Sequence, residues 1–166
     1  MTSNLFTIRP INPADDLVVD DLHAEAFGPG RFARTAYRLR EGVAPDPALS
    51  FVAVAGAEII GSVWMTPIRI GVRPALLLGP LAVRPDWAGK GAGRALVRAA
   101  LDAARAAGHQ VVLLVGDLSY YGPLGFQRPR PNAITLPGPA DPTRVLVAPL
   151  TPDALDGLAG MAARWA

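Results

Sequence analysis

The residues of this chain that could do chemistry fall in two short stretches. The first is Ala88-Gly89-Lys90-Gly91-Ala92-Gly93-Arg94, where three alternating glycines surround the chain's only lysine. Glycine lets a backbone turn tightly or approach a ligand closely. A helix that begins on such a loop offers unpaired N–H groups, and the positive end of its dipole, to an anion. A phosphate is the natural guest. The second stretch holds Asp117, Tyr120 and Tyr121. Asp117 follows a buried strand, where α/β sites collect, and a carboxylate there could take a proton.

Spacing separates the phosphate motifs that compete for the glycines. A P-loop needs Gly-Lys followed by Ser or Thr to hold magnesium, and Lys90 is followed by Gly91. A dinucleotide fingerprint needs a glycine at 94 or 96, where the chain has Arg94 and Leu96. Both readings fail. With no cysteine and only His23 and His109 as histidines, a Cys nucleophile, a cysteine zinc site and a histidine metal cluster are excluded, and no metal is expected. The formal net charge is +2 with basic residues scattered, which does not indicate a nucleic-acid partner. No apolar run approaches the roughly 18 residues of a membrane span, and Met1 to Arg9 lacks the basic-then-apolar pattern of a leader, so a cytoplasmic protein with no membrane partner is expected.

The elements that position these stretches are legible from periodicity. Ala75 to Val83 is an unbroken apolar run, interrupted by Pro80, that reads as a buried strand. Proline there cannot donate to a ladder and marks a bulge or an edge. From Gly91 a helix follows, with Leu96, Val97, Ala100, Leu101 and Ala104 on one face and Arg94, Arg98, Asp102 and Arg105 on the other. Gly108 ends it, and Gln110 to Val115 is a second buried strand. Two buried strands joined by a helix make a parallel crossover, in a sheet otherwise largely antiparallel.

Upstream, Leu5–Arg9 is a short strand. A helix starts at Asn12-Pro13 with Asp15 and Asp16, and places Val18, Val19, Leu22 and Phe27 inside. Arg31 to Arg40 reads as a second, Arg-rich helix closed by Gly42. Ser50–Ala55 and Glu58–Thr66 form a hairpin that Ile68 and Ile70 could extend before Arg73-Pro74 turns the chain. Downstream, Ser119 could cap one helical turn that Gly125 ends, with Phe126 beginning a strand. A proline loop from Pro129 to Pro142, a strand at Arg144–Ala148 and a terminal helix over Ala154–Trp165 complete the expectation.

Two signatures carry a family resemblance. The stretch 88–93, entered from Leu81-Ala82-Val83, resembles motif A of the GNAT (GCN5-related N-acetyltransferase) superfamily, [Q/R]-x-x-G-x-[G/A], with Ala88 standing where Gln or Arg is usual. Ser119-Tyr120-Tyr121-Gly122-Pro123-Leu124-Gly125-Phe126 resembles the superfamily's tyrosine turn before Gly-Phe. Gly116-Asp117, the length and Ala154-Leu155-Asp156-Gly157 are most similar to its small bacterial YhbS-type members. The resemblance implies an α/β GNAT fold, a mixed, mostly antiparallel sheet with a central splayed parallel pair flanked by helices, as a single acetyltransferase domain over residues 1–166.

It also implies transfer of an acetyl group from acetyl-CoA to an amine by direct attack. Leu81, Ala82 and Val83 are expected to pair with the pantetheine arm through their backbone, and Ala88, Gly89, Lys90, Gly91, Ala92, Gly93 and Arg94 to cradle the diphosphate. A backbone N–H near Leu81–Val83 would meet the oxyanion. Tyr121 aligns with the general acid that protonates the departing thiolate, with Tyr120 as the competing assignment. Asp117 is a candidate base, beside Glu25 and His23 on the first helix, while His109 reads as structural. Acceptor choice is expected from residues 27–40 and the hairpin, where Phe27, Arg31, Arg34, Arg38 and Trp64 could line the site and arginines would suit a carboxylate or phosphate. The expected partner is a small-molecule or peptide amine, with a homodimer left open. The alternative is a CoA-binding module without turnover; a toxin acting on charged tRNA would want a strongly basic surface, which this chain lacks.

Overall fold

The computed structural model describes residues 5–165. The first four residues, where the stretch without a leader pattern begins, and Ala166 at the end of the expected domain lie outside the described residues.

The chain runs β1 (Thr7–Pro10), α1 (Asp16–Phe27), α2 (Thr35–Arg38), β2 (Phe51–Ala55), β3 (Glu58–Ile70), β4 (Arg73–Val83), α3 (Ala92–Ala106), β5 (Val111–Val115), α4 (Leu118–Tyr121), β6 (Ile134–Thr135), β7 (Val145–Pro149) and β8 (Gly160–Arg164). The eight-stranded sheet has the order β1-β2-β3-β4-β5-β7, with β8 on β3 and β6 on β8. Along that path every pair is antiparallel except β4 with β5. The expected mixed sheet with one central parallel pair is therefore present.

Period-2 alternation splits the buried strands between two cores. Leu76, Leu78, Val112 and Leu114 face a cluster completed by α3 through Leu96, Val97, Ala100, Leu101 and Ala104. Ala75, Leu77, Val111 and Leu113 face a second cluster with Ile68, Ile70, Leu39, Leu158 and Ala162. The α3 stripe is the one its periodicity predicts, with Arg94, Arg98, Asp102 and Arg105 exposed opposite. Complete burial of a Leu or Val contributes about 1.5–3 kcal/mol, so three such side chains outweigh the cost of starting a helix on glycines, about 1 kcal/mol each. At the 3-10 turn Pro13–Asp15 that leads into α1, Asn12 and Asp15 form a reciprocal capping box, and Asp15 also accepts from both Nη atoms of Arg9 at 2.8 and 2.9 Å.

Several local expectations are corrected. Arg31–Arg40 is not one helix: a 3-10 turn at Pro29–Ala33 is followed by extended Arg34 (φ −70°, ψ 142°) and only four helical residues. Thr35 there donates to the Pro139 carbonyl, so tertiary contact sets the bend. The terminal helix over Ala154–Trp165 is replaced by turns and β8, because Gly157 (φ 71°) and Gly160 (φ 128°) leave the helical region and β8 then pairs with Ile68–Ile70 of β3. Ser119 does not cap α4. Asp117 is the N-cap residue, without a side-chain capping bond. Phe126 does not begin a strand, and only Gln127 makes a bridge, to Val147. The β3–β4 hairpin turns at Gly71-Val72 rather than Arg73-Pro74, which already belongs to β4.

Candidate active site

The site begins as a gap in the sheet. On one side β4 pairs with β3 along most of its length, but the register runs from Met65↔Leu78 to Val63↔Leu81, so Gly79 and Pro80 stand opposite the single residue Trp64. That is a bulge at the proline, which has no N–H to give the ladder. On the other side β4 meets β5 only at Leu76↔Val112 and Leu77↔Leu113. Beyond those pairs β5 continues against β7, through Leu114↔Leu146 and Val115↔Val145. The strands therefore diverge, and the β5-facing backbone edge of Leu78 to Val83 has no ladder partner among the described residues. A cavity of about 710 Å³ opens there, lined by Leu78 to Leu81 from β4 and Leu114 to Asp117 from the end of β5.

At the head of α3 the glycine loop takes the shape its spacing predicts. Gly89 (φ 76°) and Gly91 (φ 89°) are left-handed, and Gly91 is the N-cap. No described atom lies within 4 Å of where a Cβ would stand at either, so the space before the helix is open. The first-turn N–H groups of Ala92, Gly93 and Arg94 precede the first intrahelical bond, from Ala95 to the Gly91 carbonyl at 3.0 Å. Gly93 serves a different purpose: a Cβ there would lie 2.5 Å from the Tyr120 hydroxyl. Ala88 is extended at the end of the 3-10 turn Pro85–Trp87, Lys90 sits 5.2 Å over the Trp87 ring, and Arg94 5.7 Å over Tyr120.

Both tyrosines line the cavity, with ring centroids 4.8 Å apart edge to face. Tyr120 leans on the start of α3, whereas Tyr121 packs on Phe126 at 5.7 Å and against Gly116, where a Cβ would come within 2.6 Å of its ring. Burial raises both phenols. Tyr121 is pushed up to about 12, with Tyr120 and Asp117 adding to the rise and Arg144 opposing it; Arg94 restrains Tyr120. Asp117 also lines the cavity, paired with Arg144 at 3.4 Å. The described residues hold no cluster of three His, Cys, Asp or Glu that could bind a metal.

A family model described as "Acetyltransferase (GNAT) family" matches residues 17–126, from α1 to the end of the tyrosine turn. This chain belongs to the GNAT acetyltransferase family. The uncharacterized N-acetyltransferase YjhQ of Escherichia coli K12 is 30% identical over 131 residues, 76% of this chain and 72% of YjhQ. The uncharacterized N-acetyltransferase YhbS of the same strain is 29% identical over 159 residues, 93% of each chain. A crystal structure of E. coli YhbS in complex with CoA superposes with a TM-score of 0.84, at 26% identity over 99% of this chain and 92% of that one. A Brucella melitensis GNAT acetyltransferase in complex with acetyl-CoA gives 0.59, at 27% identity over 91% and 98%.

In this GNAT chain the wall of the cavity beyond β4 is built from α1, α2, the turn between them and β3. His23, Phe27, Arg31, Arg34 and Trp64, all named from the sequence, line it. Arg38 does not; its guanidinium lies beside Gly138 of the proline loop. His23 is only 5% exposed, stacks edge to face on Trp64 at 4.7 Å, and is pulled down to about 4 by burial and by the positive charges of Arg40 and Arg31. Glu25 points elsewhere, to Arg84 at 3.4 Å, and lies outside the cavity. His109 follows α3 at the opposite end of that helix, where its N–H closes onto the Ala104 carbonyl at 3.0 Å. Sequence reasoning pointed to residues 27–40 without singling out Tyr37 or Arg40, and missed Asp20 and Arg144. Asp20 sits three residues before His23 on one helix face, a signal that was available. Arg40 and Arg144 come from a bend and a loop, where no periodicity points.

Proposed function

We propose that this chain moves an acetyl group from acetyl-CoA to an amine by direct attack, and that the gap between β4 and β5 receives the cofactor's thioester arm. The observation that carries this reading is the unpaired edge of Leu78 to Val83, which runs toward the open glycine loop at one end and opens on both tyrosines. An extended pantetheine can hydrogen-bond such an edge as an added strand would. The N–H groups of the loop and first helical turn, Gly89 to Arg94, suit a diphosphate. Acetyl-CoA supplies the electrophilic carbonyl and the thiolate leaving group. CoA in the related YhbS and acetyl-CoA in the Brucella protein support the same choice of cofactor.

The residues then divide the work. Backbone N–H groups of Leu81 to Val83 meet negative charge developing on the carbonyl oxygen. Asp117, or water that it orients, takes the proton from the attacking amine as the C–N bond forms. Tyr121, protonated at any working pH, gives its proton to sulfur as the C–S bond breaks. Tyr121 is then reprotonated from solvent.

CoA should raise Tm, by mass action on the native state, while ATP and NAD should not. A thiol-release assay against amines, amino acids and peptides tests turnover. Equal Tm shifts with ATP would return the glycine loop to a nucleotide site, and CoA binding without thiol release from any amine would leave a binding module.

A further inference from the structure

We infer that the acceptor is a small amine carrying an anionic oxygen group, a carboxylate or a phosphate, which Arg34 and Arg40 hold at the wall that α1 and α2 give the cavity. The inference rests on the acetyl-transfer reading above and narrows its acceptor.

The charge on that wall is unbalanced. It presents Arg34 and Arg40 against one carboxylate, Asp20, and Asp117 across the cavity is engaged by Arg144. Among the described residues neither Arg34 nor Arg40 has a carboxylate within ion-pair distance. Arg40 is largely buried, which lowers it to about 10, and its Nε has no hydrogen-bond partner. A buried cation without a counter-ion is costly, and an anion in the cavity removes that cost.

Donors are also left over. Trp64 Nε1 and Arg40 Nε are shielded from water and have no partner among the described residues. A guest in the cavity meets the guanidiniums of Arg34 and Arg40 that line it, and these only donate, so the guest must accept. The arginine planes are pre-set: Arg34 lies 5.1 Å over Phe27 and Arg40 5.6 Å over Tyr37, which holds their faces and leaves their edges for the fork of an oxyanion. The rings of Phe27, Tyr37 and Trp64 add apolar wall for the body of such a molecule.

The cofactor's phosphates do not explain these arginines. Lys90 and Arg94 stand at the glycine loop, and none of residues 88–94 lines this cavity.

The test uses the whole chain saturated with CoA. Benzoate and inorganic phosphate are expected to raise Tm further while benzamide and chloride do not, and the stronger of the two anions assigns carboxylate or phosphate. In turnover, phenylalanine is compared with phenylalaninamide, and phosphoethanolamine with ethanolamine. The anionic member of at least one pair should show a kcat/KM at least tenfold higher. That preference should collapse in Arg34→Gln and Arg40→Gln, while the CoA-induced Tm shift persists. If Arg40→Gln does not fold, Arg34→Gln, at an exposed position, decides alone. Anions no better than benzamide, together with neutral amines acetylated as fast as their anionic partners, would overturn the inference and leave acetyl transfer standing. CoA without effect on the Tm of the unaltered chain would remove the acetyl-CoA reading and this inference with it.

Discussion

Gly116→Ala should disable the site through a single methyl group. Gly116 is buried at the end of β5, its φ is not in the left-handed region, and an alanine there meets no backbone objection. The objection comes from Tyr121, because the new Cβ would stand 2.6 Å from its Cε2, 3.0 Å from its Cδ2 and 3.1 Å from Leu114 Cδ1. Ordinary carbon contact lies near 3.5–4.0 Å, so the ring must retreat by about 1 Å. Tyr120 and Phe126 limit where it can go. Overpacking of this kind costs about 1–3 kcal/mol, and the stiffer unfolded chain returns about 0.4–1 kcal/mol. The net loss of roughly 0.5–2 kcal/mol lowers Tm by roughly 1–8 °C. The protein should still fold and bind acetyl-CoA, which calorimetry would show. Turnover should fall by about 10²-fold, the scale at which a displacement of 1 Å harms a reacting geometry. The decisive comparison is the same substitution placed on Tyr121→Phe. If it acts by moving the Tyr121 hydroxyl, it should cost little more once that hydroxyl is gone. An equal fold-loss in both backgrounds would refute the link between Gly116 and an acid at Tyr121.

Tyr121→Phe alone should keep acetyl-CoA affinity and lose roughly 10²-fold in turnover, with Tyr120→Phe as the mild control; near-normal single-turnover rates in Tyr121→Phe would transfer the acid role elsewhere. Gly91→Val should abolish CoA binding in calorimetry and, because φ is 89°, also cost about 1–2 kcal/mol of stability in a denaturant titration, whereas Lys90→Ala should do much less. His23 is neutral in the fold, near 4, against about 6.5 when exposed, so the unfolded chain binds the extra proton between those values. Stability should therefore decline as pH falls from about 6.5 toward 4, by up to about 1.4 kcal/mol per pH unit. His23→Leu should flatten that part of the Tm–pH curve, and a curve parallel to that of the unaltered chain would contradict the burial argument.

The fold was legible where one face of an element decides its pattern. The α3 stripe, the apolar runs of β4 and β5 and the β2–β3 hairpin stand where periodicity puts them. The glycine loop was legible too, because few backbones need glycine at alternate positions before a helix. Prediction failed where distant chain decides. Alanine-rich 154–165 has helical propensity, yet Gly157 and Gly160 break it and the open flank of β3 beyond Val63 takes up residues 160–164 as a strand. Residues 31–40 have arginines at helical spacing, but Thr35 and buried Leu39 tie the segment to other parts of the chain. Because that segment bends, a helical wheel misplaces its arginines: Arg38 was named for the site and lies outside it, and Arg40, within the same stretch but not named, lies inside.

The meeting of β4 and β5 also governs how the molecule can flex. Two residue pairs, Leu76↔Val112 and Leu77↔Leu113, are all that stitches the β1–β4 half of the sheet to the β5–β7 half. The remaining links are a hydrogen bond from Arg73 to Gln110 Oε1 at 3.2 Å and the side-chain packing that α3 shares with strands of both halves. A ladder so short makes a hinge, and the halves can rock about it with few hydrogen bonds at risk, while β3–β4 and β5–β7 remain stiff plates. Amide exchange in the empty protein should report this, with fast exchange along β4 beyond Leu78 beside slow exchange at Leu76 and Leu77. A guest lying along the open edge would act as a splint, slowing exchange on both plates at once.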